Sequence, residues 1–381
     1  MEGQPSSYAK SHHSSWSPLH APKIGSLPNL RLLCRYSELV EENVNVPKAA
    51  IYRSSKPDRL NQEDLVTFRN LGIKCIIDFR SKEEYFNSDG QRLLDGEYIL
   101  HKVTPAKKAG QTLTVERIDT AKVNHSSYKA KDVQVSTSKA DSECLDAGVE
   151  KKHFLINFFT PSYIFRSVSR LPCYLYCVGL FHFLCDFIRR DTSFKRFGRF
   201  FTRTVINRIG IKGQYADIAD FCQPAICSAL KLISDPHNSP MLLNCAHGKD
   251  RTGIVSALVL TCIGVPREDI LYDYSLSEEG LRPIVHLVRQ DIVEKYQLKE
   301  EFISADADTM RNLLDHIERK YGSISNYMEA IGFSREEQMS LKTRFTPPES
   351  LTAGRSTKSG QVTESLTSTG EENVLRSRVG K

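Results

Sequence analysis

"MLLNCAHGKDRTGIVSALVLTCIG", residues 241–264, decides how the chain is read. Met241 to Cys245, just after Pro240, is a short apolar run of the kind that forms a buried strand. Arg251 to Gly264 is almost all small or apolar, which predicts a helix packed on most of its sides and stopped by Gly264 and Pro266. A strand ending at Cys245 and a helix starting near Arg251 leave a short loop between them. Its backbone N–H groups can converge, and the helix N-terminus adds positive potential at the same spot, so the loop is a cradle for a tetrahedral anion. Arg251, six residues after Cys245, closes the ring and offers a bidentate fork to two phosphate oxygens. The same field favours a thiolate, and a thiolate held under a bound phosphate is a nucleophile for phosphoryl transfer. Gly248 and Gly253 permit the tight backbone that this needs.

Working outward, the elements around the loop alternate. "LNQEDLVTFRNLG" (60–72) reads as a helix capped by Asn61, with Asp64 in its first turn and Leu65, Phe68 and Leu71 on one face. "KCIIDF" (74–79) follows as a short buried strand. Helices are also expected over 213–235, disturbed by Pro224, and over 306–322, stopped by Gly322. Helix and strand in alternation predict an α/β fold with a central, mostly parallel sheet flanked by helices.

The bulk composition fits a globular chain. Its 381 residues are 40% hydrophobic and 26% charged, enough to bury one large core or two smaller ones. The net charge of +6 is mild, so its distribution matters more than its sum. Ten cysteines lie without framework spacing, and the first thirty residues hold no apolar signal core, so reduced thiols in the cytoplasm are expected. Cys173 and Cys177 have no second pair or nearby histidines to complete a zinc set.

The expected organisation is a disordered segment over 1–27, one domain over 28–345 and a disordered tail over 346–381. Inside the domain, 104–152 is polar and aperiodic and reads as a mobile insertion; 153–212 reads as a basic, aromatic helical lid. The uncharged run Leu171 to Cys185 is shorter than the roughly 20 residues that cross a bilayer. Between Arg189 and Lys212 stand eight Lys or Arg and one acid, Asp191, with Phe194, Phe197, Phe200 and Phe201 among them. That mixture suits peripheral contact of 189–212 with an anionic membrane, or equally a lid that packs its Phe residues on the core. No nucleic-acid module is recognisable, so no nucleic-acid partner is expected.

The loop "CAHGKDRTG" (245–253) resembles the signature loop of the cysteine-dependent phosphatases. Its Lys-Asp-Arg form is similar to the tyrosine-phosphatase-like branch, which includes secreted bacterial phosphatases active on phosphotyrosine and phosphoinositides. "IYRSSKPDRLNQEDLVTFRNLGIKCIIDFRSKEEY" (51–85) and "ADTMRNLLDHIERKYGSISNYMEAIGF" (307–333) agree with that branch, and the likeness covers roughly 28–103 and 213–345. The resemblance implies Cys245 as nucleophile and Arg251 as phosphate clamp. It implies a phosphate cradle of Ala246, His247, Gly248, Lys249, Asp250, Arg251 and Thr252. Thr252 would hydrogen-bond the sulfur, Lys249 would add charge over the substrate, and Asp250 would orient the loop or a water. Backbone N–H groups and Arg251 stabilise the phosphoryl oxygens, so neither a metal nor a cofactor is expected. The chain departs from the branch at Asn244, where His is usual.

A proton donor for the leaving oxygen is also needed. Asp78, at the end of the strand in "IIDFRS", is favoured by its expected place at the mouth of a parallel sheet and by the resemblance; Asp250, in the loop beside Arg251, is the second candidate. Arg53 and Ser54 read as buried scaffold. The expected activity is phosphomonoester hydrolysis through a cysteinyl-phosphate, on phosphorylated lipid head groups or phosphotyrosine proteins. The alternative is a phosphate-binding module with little turnover. A Walker loop is excluded because the first glycine is missing and Asp250 stands where Ser or Thr would meet magnesium. A sulfurtransferase, suggested by the rhodanese-like "IIDFRSKEEY" (76–85), is disfavoured by Arg251, Thr252 and Gly253.

Overall fold

Residues 21–36, 49–105, 113–118, 150–190 and 195–345 are described by the structure, a computed structural model. Seven strands lie among them: β1 (Arg31–Tyr36), β2 (Ala49–Ser54), β3 (Cys75–Asp78), β4 (Ile99–Thr104), β5 (Thr114–Arg117), β6 (Lys152–Ile156) and β7 (Met241–Asn244). They form one sheet in the order β1-β2-β7-β3-β6-β4-β5. The five inner strands run parallel, and β1 and β5 pair antiparallel at the two edges. β2, β3 and β7 are buried at every position, which is what a parallel strand covered on both faces requires. β5, at an edge, is exposed throughout.

One face of the sheet carries a small core built from Leu65, Phe68 and Leu71 against Ile76 and Leu242. The helix Gln62–Arg69 supplies it, and the Asn61 side chain accepts from Asp64 N at 2.7 Å at its start, the cap read from the sequence. The larger core covers the other face. There the helix Asp250–Cys262 is buried from Arg251 to Leu260 and packs against helices Gln223–Ser234, Arg267–Leu281 and Arg335–Phe345. A helix apolar on all sides needs partners on all sides, and this one has them. Pro224 sits in the first turn of Gln223–Ser234 and ends the preceding helix at Phe221, so the expected single helix over 213–235 is two. Ala307–Tyr321 ends at Gly322, whose φ of 80° gives a left-handed cap.

Three boundaries differ from the sequence reading. Ile24 and Leu27 are buried in the core under Gln62–Arg69, so order begins before residue 28; residues 1–20 lie outside the described residues. Residues 152–156, divided between the expected insertion and the expected lid, are β6, a strand between β3 and β4. Their pairing partners lie far away in sequence, so periodicity alone could not assign them. Thr114–Arg117, within the expected insertion, adds the edge strand β5; the remainder of 104–152 is described only up to 105 and at 113, 118 and 150–152. The expected tail, 346–381, lies outside the described residues. The described unit closes at Phe345, which is buried.

Candidate active site

β2, β7 and β3 end level with one another: Asn244 is in register with Ser54 on one side and Asp78 on the other. Phe79 N donates to Asn244 O at 2.8 Å, so the strands stay zipped to their last residue. Cys245 therefore leaves the sheet at its carboxyl end, where α/β folds place ligands. It is buried at the base of the loop that enters the helix Asp250–Cys262.

The loop is held from behind. Arg53, fully buried, donates Nη2 to Gly248 O at 2.8 Å and pairs through Nη1 with Asp273. Asn29 Nδ2 lies 3.1 Å from both His247 O and Gly248 O. Lys56 N donates to Ala246 O at 3.2 Å. Gly248 has φ 67°, and a Cβ there would stand 2.0 Å from Ser54 O. Only glycine fits that approach. With its carbonyls tied back, the loop keeps its donors: among the described residues, the N–H groups of Ala246 through Lys249 have no acceptor. This is the donor set an anion cradle requires.

Arg251, in the first turn of the helix, is clamped on one edge. Its Nη1 donates to Glu84 Oε2 at 2.8 Å and to Phe79 O at 2.9 Å; its Nη2 donates to Glu84 Oε1 at 3.0 Å. The guanidinium also lies 5.0 Å from the Phe159 ring centroid. Burial alone would favour the neutral form of both partners, but each charge more than reverses that for the other, raising Arg251 and lowering Glu84. The Nε edge of the fork, with the second Nη2 hydrogen, has no partner among the described residues and remains for two oxygens of an anion.

The two candidate acids occupy different places. Asp78 is fully buried. Arg80 donates Nε to both of its oxygens at 3.0 Å and Nη2 to Oδ2 at 2.6 Å, and His153 Nε2 lies 3.3 Å from Oδ2. Arg80 continues to the buried Asp58, with Nη2 2.9 Å from Oδ1. Burial pushes the Asp78 carboxyl up, but Arg80 and then His153 hold it well below the usual carboxylate range. Asp78 thus has no exposed face for a leaving group and ties β3 to the following loop, which sets it apart from the sequence expectation that it serves as the acid.

Asp250 is partly exposed. Its Oδ1 accepts from Lys249 Nζ at 2.7 Å and from Tyr215 OH at 2.9 Å, and Tyr215 OH lies 2.7 Å from Tyr274 OH. Burial would raise its carboxyl, yet Lys249 and Tyr215 hold it low. Lys249 does not stand over the substrate space as the resemblance implied. It is fully buried, with Nζ also 3.0 Å from Ser304 O, and burial is outweighed by Asp250, which raises its ammonium above the ordinary value. Thr252 Oγ1 is buried without a hydrogen-bond partner among the described residues, so the bond to the Cys245 sulfur is not formed. His247 is at the rim, Nε2 3.4 Å from Asp291 Oδ2. Asn244 fills the position before the cysteine, fully buried, with Nδ2 3.5 Å from Cys245 O.

The tyrosine phosphatase family matches residues 22–153 and 196–347, the second segment containing this loop. The chain belongs to the tyrosine phosphatase family. Its match is interrupted at 154–195, the segment holding the end of β6 and the helices Pro161–Val168 and Cys173–Ile188. A triple specificity protein phosphatase, PtpB, of Mycobacterium tuberculosis is 27% identical over 110 residues, which cover 25% of this chain and 40% of that protein. A tyrosine-protein phosphatase of Nostoc commune is 29% identical over 132 residues, covering 32% of this chain and 45% of its own. The chain thus spans less than half the length of each relative.

Sequence reasoning missed four contributors to this tyrosine-phosphatase loop: Glu84, Asn29, Tyr215 and Asp273. Only Glu84 left a signal. "SKEE" (81–84) is a capping box, and Glu84 Oε2 does accept from Ser81 N at 2.9 Å. The same carboxylate also reaches across 167 residues to Arg251, which no local pattern reveals.

Proposed function

We propose that this chain hydrolyses phosphomonoesters through a cysteinyl-phosphate, with Cys245 as nucleophile, Arg251 as clamp and Asp250 as proton donor. The observation that carries this reading is the free Nε edge of Arg251, fixed by Glu84 above a loop whose N–H groups lack acceptors and whose base is Cys245. The Cys245 thiolate attacks phosphorus, an S–P bond forms, and the ester P–O bond breaks as Asp250 passes a proton to the leaving oxygen. Water then attacks phosphorus, Asp250 takes its proton, and the S–P bond breaks to release phosphate and the thiolate. Lys249 and Tyr215 hold the Asp250 carboxyl low, and a phosphate dianion entering beside it opposes that effect and favours proton uptake. The N–H groups and Arg251 hold the three equatorial oxygens throughout.

The substrate class we infer is phosphorylated inositol lipid or phosphotyrosine protein. The names of the relatives, a triple specificity protein phosphatase and a tyrosine-protein phosphatase, support the phosphotyrosine-protein half of that pair.

The test is phosphate release from phosphoinositide vesicles, phosphotyrosine peptides and p-nitrophenyl phosphate, with Cys245→Ser as control. Asp250→Asn is expected to cost about 10²–10⁴-fold on the tyrosine and alkyl esters and far less on p-nitrophenyl phosphate, whose leaving group needs no proton. A folded protein that binds phosphate without releasing it from any substrate would make the loop a receptor and sink the enzymatic reading.

A further inference from the structure

Nine of the sixteen large hydrophobic residues exposed among the described residues lie on one helix, Cys173–Ile188, so its exposed face is not ordinary surface scatter. The helix is inside out. Its protein-facing seam, at spacings of four, three and four, is Leu175, Gly179, His182 and Asp186. Gly179 lies so close to Phe200 that a Cβ would stand 2.7 Å from its ring, the His182 ring centroid is 5.6 Å from that of Phe200, and Asp186 Oδ2 accepts from Phe197 N at 2.9 Å. The larger apolar side chains face away: Tyr174 is 68% exposed, Phe187 66% and Ile188 77%. Leaving that face in water forgoes burial worth about 1.5–3 kcal/mol for each large side chain, so the helix is built to meet something apolar.

Charge decides what. Arg189, Arg190, Lys195, Arg196, Arg199 and Arg203 are all exposed at the end of this helix and on the next, Lys195–Phe201, and its continuation. None of the six has an acidic partner among the described residues. From Pro161 to Arg208 the described acid is Asp186 alone, and it is buried. An apolar face rimmed by unpaired cations complements an anionic bilayer, not a second copy of itself, whose cations would face these. Sixteen residues at 1.5 Å each reach about 24 Å, short of the roughly 30 Å hydrocarbon core, and no helix among the described residues is long and apolar enough to cross a membrane.

We propose that the helix Cys173–Ile188 seats the protein flat on an anionic lipid surface, its outward Tyr, Phe, Leu and Ile side chains in the interface and the adjoining arginines on lipid phosphates. A run of rings joins this seat to the loop. Phe159 lies under Arg251, Tyr163 is 5.1 Å from Phe159, Phe201 is 6.4 Å from Tyr163, and Phe197 is 6.3 Å from Phe201. The seat and the loop are thus joined by one continuous run of packed rings. The seat stands independently of whether the loop turns over substrate.

Flotation of the full-length protein with vesicles of phosphatidylcholine alone, or phosphatidylcholine with phosphatidylserine, tests this. Binding to the anionic vesicles only, weakened by salt, is expected. Arg196→Gln/Arg199→Gln lowers the partition coefficient about 25-fold, and Phe181→Ser/Phe187→Ser/Ile188→Ser lowers it at least about hundredfold. Because all five side chains are exposed, thermal melting should be unchanged and serves as the fold control. Absence of flotation with anionic vesicles, in protein that melts normally, overturns the proposal. So does a dimer in sedimentation velocity that the triple variant dissociates, which would give the face to a second copy.

Discussion

Arg251 meets the Glu84 carboxylate end-on, Nη1 2.8 Å from Oε2 and Nη2 3.0 Å from Oε1. The pair spends one edge of the guanidinium on the protein and aims the other. In Glu84→Gln the charge is gone, the fork loosens, and the phosphate-facing edge loses its orientation. We expect kcat/KM to fall about 10–100-fold, with weaker competitive inhibition by inorganic phosphate. Steady-state kinetics on a soluble phosphoester reads both; an unchanged kcat/KM would mean that Glu84 only caps its helix.

Gly248 cannot accept a side chain. Its φ is 67°, and a Cβ would sit 2.0 Å from the carbonyl oxygen of Ser54. Gly248→Ala should cost about 2–5 kcal/mol, the left-handed backbone contributing one part and the clash with β2 the other. Denaturant unfolding measures this, and a variant as stable as the parent would show that the loop is not pinned to β2.

The Asp78–Arg80–Asp58 cluster should govern acid stability. The folded Asp78 carboxyl is depressed, so its contribution is complete above the unfolded value of about 3.9 and is lost as pH falls toward the folded one. Asp78→Asn should then destabilise by about 3 kcal/mol at neutral pH, with the gap to the parent closing in acid. Its kcat, measured where the variant is folded, should change less than tenfold; a loss of about 10²–10⁴ would restore Asp78 as the acid.

Tyr215 donates to Asp250 at 2.9 Å and helps hold that carboxyl low. Removing the donor in Tyr215→Phe raises the Asp250 carboxyl. A proton donor that titrates higher stays competent to higher pH, so the descending limb of kcat against pH should move up by about one unit. If the limb stays put while kcat holds, Asp250 is not the group that titrates.

The sequence reading was most reliable where local chemistry decides. Strand, loop and helix at 241–264 follow from an apolar run, a glycine and a second apolar run, and the structure puts them within one or two residues of those limits. Asn61 caps, Pro224 breaks and Gly322 stops for reasons contained in each residue. β6 was misread because Lys152–Ile156 becomes a strand by pairing with β3 and β4, neither of which is near it in the chain.

Local sequence thus determined the α/β class and the loop with Cys245 and Arg251, since backbone conformation and residue spacing set them. Tertiary structure alone decided what each charge does. It sealed Asp78 between Arg80 and His153, drew Lys249 inward to Asp250 and Ser304, and turned the apolar side of Cys173–Ile188 outward. A charged group's state depends on burial and on its nearest charges, and here those neighbours come from elements far away in sequence, 167 residues for Arg251 and Glu84 and 220 for Arg53 and Asp273.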